Sequence, residues 1–159
     1  MTIVVDVANV MGSRPDGWWR DRAGAAVRLH TQITRLAASG RVVLPDSEVV
    51  LPDSEEAPGS APAFVLVLEG AARAAIARLP PAASPARPDA VGPAGPPRPG
   101  EVRVVEARGS GDDEIVAVVR ELPGRRVVVT ADRELRARCA GAGAEILGPG
   151  WLLGLLRDA

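Results

Sequence analysis

The sequence predicts a single α/β domain built on a mainly parallel sheet of about five strands. Three observations lead to this fold class. The chain has 159 residues, which is the length of one domain with one sizeable core. Short apolar runs without polar alternation recur along it, as in strands that are covered on both faces. Segments of helical periodicity follow these runs, and such alternation implies right-handed crossovers between parallel strands.

The first half of the chain predicts two strand-helix units. Residues 2–7 read as a buried strand, and a turn follows at residues 12–17. Apolar side chains recur at helical spacing across residues 21–39, and Gly40 is a usual helix end. Residues 64–68 then form the second strand, and the Ala-rich residues 70–79 form the second helix.

The second half repeats the alternation three times. Strands are predicted at 102–106, 126–130 and 145–147, and helices at 112–122, 133–140 and 151–156. We therefore assign residues 1–159 to one domain.

Two segments interrupt the pattern and are predicted to lie on the surface. Residues 41–63 form an insertion that contains a tandem repeat, in which residues 42–48 are followed at once by a close copy. A surface insertion is favoured over a cation-binding acidic loop, because loops tolerate duplications best. Residues 80–100 hold most of the Pro content and are predicted to be a Pro-rich loop.

The composition of the charged residues excludes several functions. All nineteen basic residues are Arg, so no Walker-type phosphate loop can form. Haloacid-dehalogenase phosphatases and receiver domains also place acids at strand ends, but they normally rely on a Lys. The net charge of -1 leaves the partner open, and a nucleic acid would need a local Arg cluster.

The lone Cys139 and the first residues bear on the expected compartment. One cysteine cannot form an internal disulfide, so a reduced compartment is the simplest interpretation. The start has neither the basic lead nor the long apolar stretch of a signal peptide, and no run reaches membrane-spanning length. We expect a cytoplasmic protein with no membrane contact; a homodimer is an open alternative to a monomer.

Acidic residues follow four of the predicted strands. Asp6, Glu69 and Asp132 each stand at or just past the end of an apolar run, and Asp112 and Asp113 open a helix. The carboxyl ends of parallel strands lie along one sheet edge, so these side chains should meet there. Carboxylates that share a crevice repel each other unless a cation lies between them. The pattern therefore predicts a divalent-metal site.

Each acid also has a purely structural interpretation as a helix cap or first-turn acid. A strand of Ile and Val has no structural use for Asp6, and Asn9 can orient its carboxylate. Asp112 shares a helix side with Ile115, whereas Asp113 and Glu114 are expected to be peripheral. Glu69 fits both interpretations equally.

Thr130 and Asp132 follow the most apolar strand in the chain. Asp132 could cap its helix. A hydroxyl together with a carboxylate at the sheet edge also suits a metal or phosphate, and the cleft setting favours that functional role.

Four segments together resemble a known family. Residues 4–10, 68–70, 111–116 and 129–136 resemble, in order and spacing, the NYN branch of the PIN-like metal-dependent ribonucleases, especially its YacP-like bacterial members. The similarity spans nearly the whole chain. The first, third and fourth segments are fairly specific as an ordered set.

The resemblance implies a three-layer α/β/α sandwich with Mg²⁺ or Mn²⁺ at the carboxyl edge of its sheet. The catalytic and metal-binding acids that it implies are Asp6, Asp112 and Asp132. Glu69 and Asp113 complete the set of candidate metal ligands. Asn9 matches the Asn of the first motif, and Thr130 matches the hydroxyl residue before the last acid. The family commonly carries Asp where this chain has Glu69, which leaves the number of metals open.

Aromatic and basic residues close to the first motif are candidates for substrate binding. Trp18 and its neighbour Trp19 lie among Arg14, Arg20 and Arg22, where exposed rings could stack on bases. Packing of the first long helix onto the sheet is the competing interpretation, with one ring in each role. Arg14, Trp18, Arg20 and the outward-pointing Arg133 form the predicted substrate-binding set.

The resulting hypothesis is a metal-dependent nuclease that hydrolyses RNA phosphodiester bonds. Two alternatives stay open: a metal-dependent hydrolase of nucleotides or small phosphate esters, and an inactive RNA- or protein-binding module with the same fold. A dead site would show no stabilisation by Mn²⁺.

Overall fold

The computed structural model describes residues 1–45, 61–80 and 95–159. Within them, five parallel strands form one sheet in the spatial order β3-β2-β1-β4-β5. The strands are β1 (Thr2–Asp6), β2 (Ala63–Leu68), β3 (Val102–Glu106), β4 (Arg126–Val129) and β5 (Glu145–Leu147). The predicted fold class, an α/β domain on a parallel sheet, is confirmed.

Helices connect successive strands. They are α1 (Val7–Gly12), α2 (Arg22–Ser39), α3 (Gly111–Glu121), α4 (Arg133–Gly141) and α5 (Pro149–Asp158), with 3₁₀ helices at Trp18–Arg20 and Gly70–Arg78. The sequence did not predict α1, because it has only six residues and β-branched Val begins it, so no periodicity can develop. The segment predicted as the second helix is a 3₁₀ helix.

Two apolar layers cover the two faces of the sheet, so the molecule is a three-layer sandwich. Because successive strand residues point to opposite faces, Ile3 and Val5 pack in the larger core cluster with α2 and α5, while Val4 packs in the other. That second cluster contains Ile115 of α3 and Leu135 of α4. Cys139 is fully buried there, as expected for a small apolar side chain.

The strand order creates a crevice between β1 and β4. Chain connections leave β1 toward β2 on one side, and β4 lies on the other side of β1. At such a reversal the loops after neighbouring strands diverge, which opens a cleft outside their carboxyl ends. Asp6 ends β1 and Thr130 directly follows β4, so both lie at the cleft.

Most of the predicted insertion and Pro-rich loop falls outside the described residues, which omit 46–60 and 81–94. Their predicted roles, and the single-domain bounds, stay predictions. In the described part of the chain, no helix has the length and apolar character needed to cross a bilayer.

Candidate acidic site at the carboxyl edge of the sheet

Four carboxylates from separate parts of the sequence line one cavity at the carboxyl edge of the sheet. The cavity has a volume of about 420 Å³. Its acidic residues are Asp6, Glu69, Asp112 and Asp132, and the rest of its lining is Ala8, Asn9, Gly12 and Ser13. The parallel sheet thus brings together the acids that end β1, follow β2, begin α3 and follow β4.

Asp6 is the most buried of these acids, with 7% of its surface exposed. The Thr130 hydroxyl donates to its Oδ2 at 2.9 Å, and the Asn9 backbone N–H donates to its Oδ1 at 3.2 Å. Burial nevertheless dominates and raises the pKa of Asp6 from 3.8 to about 6, and the negative charges of Glu69 and Asp112 act in the same direction. A cation in the cavity would relieve this penalty.

Asn9 and Thr130 join the ends of β1 and β4. The Asn9 side-chain oxygen accepts from the Ala131 backbone N–H at 2.9 Å. Thr130, which is completely buried, accepts from the Asp132 backbone N–H at 3.2 Å while its hydroxyl donates to Asp6. The two residues predicted to support the site therefore hold both of its neighbouring strand ends.

Asp132 combines the two roles that the sequence left as alternatives. Its Oδ1 accepts from the Leu135 backbone N–H at 2.9 Å, which caps the N-terminus of α4. The same side chain lines the acidic cavity. Capping holds one oxygen in place, and a carboxylate has acceptor capacity left for a ligand.

Glu69 and Asp112 come together from β2 and α3. Glu69 Oε2 accepts from the Gly111 backbone N–H at 2.8 Å, so it reaches the start of α3. Burial, then the charges of Asp132 and Glu69, raise the pKa of Asp112, while Arg138 acts in the opposite direction. These acids line one cavity, so the negative charge of each neighbour disfavours ionisation of Asp112.

Asp113 points away from this group. It is exposed and accepts from Arg138 Nη2 at 2.8 Å, which links α3 to α4. Asp113 is not among the residues that line the acidic cavity. Its role as a metal ligand stays a prediction, and Arg138 is the partner that the structure gives it. Glu114 lines a separate groove beside β3.

The donor set suits a hard divalent cation, since carboxylate oxygens are the ligands that Mg²⁺ and Mn²⁺ prefer. Among the described residues, however, no three Asp, Glu, His or Cys side chains come close enough together to hold one ion directly. Mg²⁺ commonly uses only one or two carboxylates and keeps several waters. The acidic cavity is wide enough for such a hydrated ion.

The predicted substrate-binding residues lie at the surface near α1 and α4. Arg20 and Arg133 are exposed and Arg14 is half-buried. Trp18 packs against the larger core cluster, whereas Trp19 is 56% exposed. Trp18 is half-buried, and the expectation of one packing ring and one base-stacking ring stays a prediction.

Sequence reasoning missed three lining residues, Ala8, Gly12 and Ser13, which lie in α1 or directly after it. A short helix directly after an acid-terminated strand turns the chain back across the site. The signal available was Asp6 at N-cap spacing from Asn9, which marks a helix start after β1.

Comparison with known proteins supports the fold. The structure is similar to the crystal structure of a variant of Rae1 (YacP) from Bacillus subtilis, with a TM-score of 0.57 and 14% sequence identity. The match covers 99% of this chain and 75% of that one. No family model matches the sequence, and no curated protein matches it.

Proposed function

We propose that this chain is a divalent-metal-dependent nuclease that hydrolyses RNA phosphodiester bonds. One observation carries the proposal: Asp6, Glu69, Asp112 and Asp132 line a single cavity at the carboxyl edge of the sheet. The structural neighbour is a YacP protein, and the four sequence segments resemble the YacP-like branch, so the two similarities agree with each other.

The acids have distinct tasks in this proposal. Asp6, Asp112 and Asp132 would hold Mg²⁺ or Mn²⁺, one or two of them directly and the rest through the ion's waters, and Glu69 would add negative charge to the same cavity. A bound ion lowers the pKa of a water and neutralises charge on the phosphoryl oxygens. The Thr130 hydroxyl and the Asn9 backbone N–H fix the orientation of the Asp6 carboxylate by donating hydrogen bonds to it. We place this activity in the cytoplasm.

Replacing the central acids tests the proposal. Asp6→Asn and Asp132→Asn should each lower cleavage of a labelled RNA by at least about 100-fold, because each removes a charge that the metal requires. Asp158→Asn, an exposed acid at the end of α5, is the matched control and should cleave like the wild type. Undiminished cleavage by both site variants would refute the assignment.

A substrate panel distinguishes the nuclease from a metal-dependent hydrolase of nucleotides or small phosphate esters. With Mn²⁺ present, the proposal expects cleavage of RNA and little hydrolysis of ATP or p-nitrophenyl phosphate. The reverse preference would identify a hydrolase of nucleotides or small phosphate esters.

One observation favours the inactive module as a second candidate. In the described ranges, no three potential ligands converge on one point. An inactive module would bind RNA without cleaving it and would not be stabilised by Mn²⁺, whereas the nuclease would show both cleavage and stabilisation.

A further inference from the structure

A second cavity adjoins the acidic one and has a different character. Its volume is about 350 Å³, which falls in the range of small-molecule sites (roughly 300–1,000 Å³). Its walls are Ala8, Met11, Trp18, Arg22, Glu69, Gly70, Ala72 and Gly109. Ala8 and Glu69 line both cavities, so the two are neighbours along one surface.

The walls of this second cavity combine an aromatic ring with a cation. The Arg22 guanidinium carbon lies 5.4 Å from the centroid of the Trp18 ring, within the range of a cation–π contact. Trp19 meets the Trp18 ring edge-on at a centroid distance of 6.2 Å. Met11 and Ala72 supply apolar surface from α1 and the 3₁₀ helix.

We propose that the second cavity is a nucleobase subsite, in which Trp18 and Met11 contact one base and Arg22 faces the adjoining phosphate. This assignment rests on the proposed function. Because the second cavity adjoins the acidic one, a base bound there would lie next to the phosphodiester that the acids act on. Apolar and aromatic walls suit the base, and the cation suits the phosphate. A sugar phosphate without a base would leave the aromatic wall unused.

Binding of nucleotides that contain no phosphodiester bond tests the subsite separately from RNA cleavage. The probes are AMP and ribose 5-phosphate, titrated into the full chain with EDTA present. Binding is followed by the indole N–H signals of Trp18, Trp19 and Trp151 in NMR spectra. AMP should shift the Trp18 signal and bind at least about 5-fold more tightly than ribose 5-phosphate, whereas the Trp151 signal should stay in place.

Substitutions identify the residues responsible. Trp18→Leu should raise the Kd for AMP about 5- to 150-fold, the range expected for losing one base-stacking ring. Trp19→Leu is the matched control, because Trp19 is a neighbouring Trp that does not line the second cavity. Arg22→Ala should weaken both probes, whereas Arg35→Ala, an exposed Arg on the same helix, should weaken neither.

Trp18 also packs against the core, so a variant that spares it is needed. Gly109 lines the second cavity, and a Cβ atom added there meets no other atom within 4 Å. Gly109→Leu should therefore keep the fold, checked by circular dichroism, while its side chain occupies the cavity and weakens AMP binding.

The outcomes separate the two proposals. Equal affinity for AMP and ribose 5-phosphate, or unchanged AMP binding in both Trp18→Leu and Gly109→Leu, would overturn the nucleobase subsite even if RNA is cleaved. Trp18-dependent AMP binding in a chain that cleaves no RNA would support the subsite and refute the nuclease proposal instead.

Discussion

At the scale of single residues, the fold buries the Asp6 carboxylate, and burial disfavours its ionised form. Burial and the charges of Glu69 and Asp112 outweigh the hydrogen bonds from Thr130 and Asn9, so its pKa rises to about 6. The difference from 3.8 corresponds to about 3 kcal/mol. At neutral pH this side chain is ionised at a cost, which is a reason for it to take up a cation.

The pH dependence of stability follows from the sign of that shift. The folded pKa lies above the unfolded one, so the contribution of Asp6 is fully present below about pH 4 and is lost as pH rises to about 6. In EDTA, Asp6→Asn should therefore gain stability relative to the wild type across this window and keep its gain above it. Urea unfolding at several pH values measures the difference.

The comparison of the wild type with Asp6→Asn separates the effect of Asp6 from that of carboxylates whose pKa is lowered in the folded state. Glu145 has a lowered pKa, chiefly through Arg125, so its contribution is lost as pH falls. Both proteins in the comparison retain Glu145, and its effect cancels. A stability difference between wild type and Asp6→Asn that does not change between pH 4 and 7 would contradict the raised pKa of Asp6.

Thr130 offers a second test at this scale. Thr130→Val keeps the shape of the buried side chain but leaves Asp6 Oδ2 and the Asp132 N–H without their partner. The expected cost is about 1–3 kcal/mol of unfolding free energy. Because the lost hydrogen bond lowers the pKa of Asp6, the midpoint of its pH profile should also move above 6.

The hydroxyl itself is the group under test, so Thr130→Ser is the matched control. It retains the donor and should keep the midpoint of the pH profile near that of the wild type. Equal midpoints for the Val and Ser variants would show that the Thr130 hydroxyl does not set the ionisation of Asp6.

At the scale of elements, Glu69 couples the end of β2 to the start of α3. Its carboxylate accepts from the Gly111 N–H, and a Cβ atom at position 111 would collide with that carboxylate. Gly111 therefore permits α3 to begin close enough to bring Asp112 into the acidic cavity. Moving either the Glu69 carboxylate or the Gly111 N–H would increase the distance between Glu69 and Asp112.

Gly111→Ala should accordingly push the flexible Glu69 carboxylate aside, lower RNA cleavage, and cost about 1 kcal/mol of stability through the weakened hydrogen bond to the Gly111 N–H. Gly141→Ala is the control, because an added Cβ there meets nothing within 4 Å. Combining Gly111→Ala with Glu69→Ala should recover part of the lost stability, since the collision is removed. Additive losses in thermal unfolding would refute the proposed contact.

At the scale of the whole molecule, the sequence was enough to predict the strands and the shared edge of their acids. Strand runs such as residues 126–129 are local patterns, and parallel strands necessarily share an edge. Which side chains contact each other along that edge depends on the packing of segments that are distant in the sequence. The bond between Thr130 and Asp6 joins positions 124 residues apart, and no local pattern predicts it.

The same limit applies to the partners of individual side chains. Asp112 and Asp113 are adjacent acids at one helix start, and only the position of α4 decides that Arg138 pairs with Asp113. Likewise, Trp18 and Trp19 are adjacent in the sequence, but Trp18 packs against the larger core cluster while Trp19 is 56% exposed. Side-chain partners across elements require the assembled fold.

Metal binding should be visible in the stability of the entire domain. Since a ligand that binds only the folded state stabilises it, Mn²⁺ at 100 times its Kd should add about 2.7 kcal/mol. For a chain of this length that raises Tm by roughly 5–10 °C. Asp6→Asn and Asp112→Asn should lose most of this shift, and Asp158→Asn should retain it.

Proton competition gives this experiment its internal check. Because the pKa of Asp6 is about 6, protons occupy its carboxylate at pH 5 and must leave before the cation binds. The Mn²⁺-induced rise in Tm should thus be smaller at pH 5 than at pH 7.5 in the wild type. No rise at pH 7.5, with the wild-type fold verified by circular dichroism, would contradict a metal site and favour the inactive module.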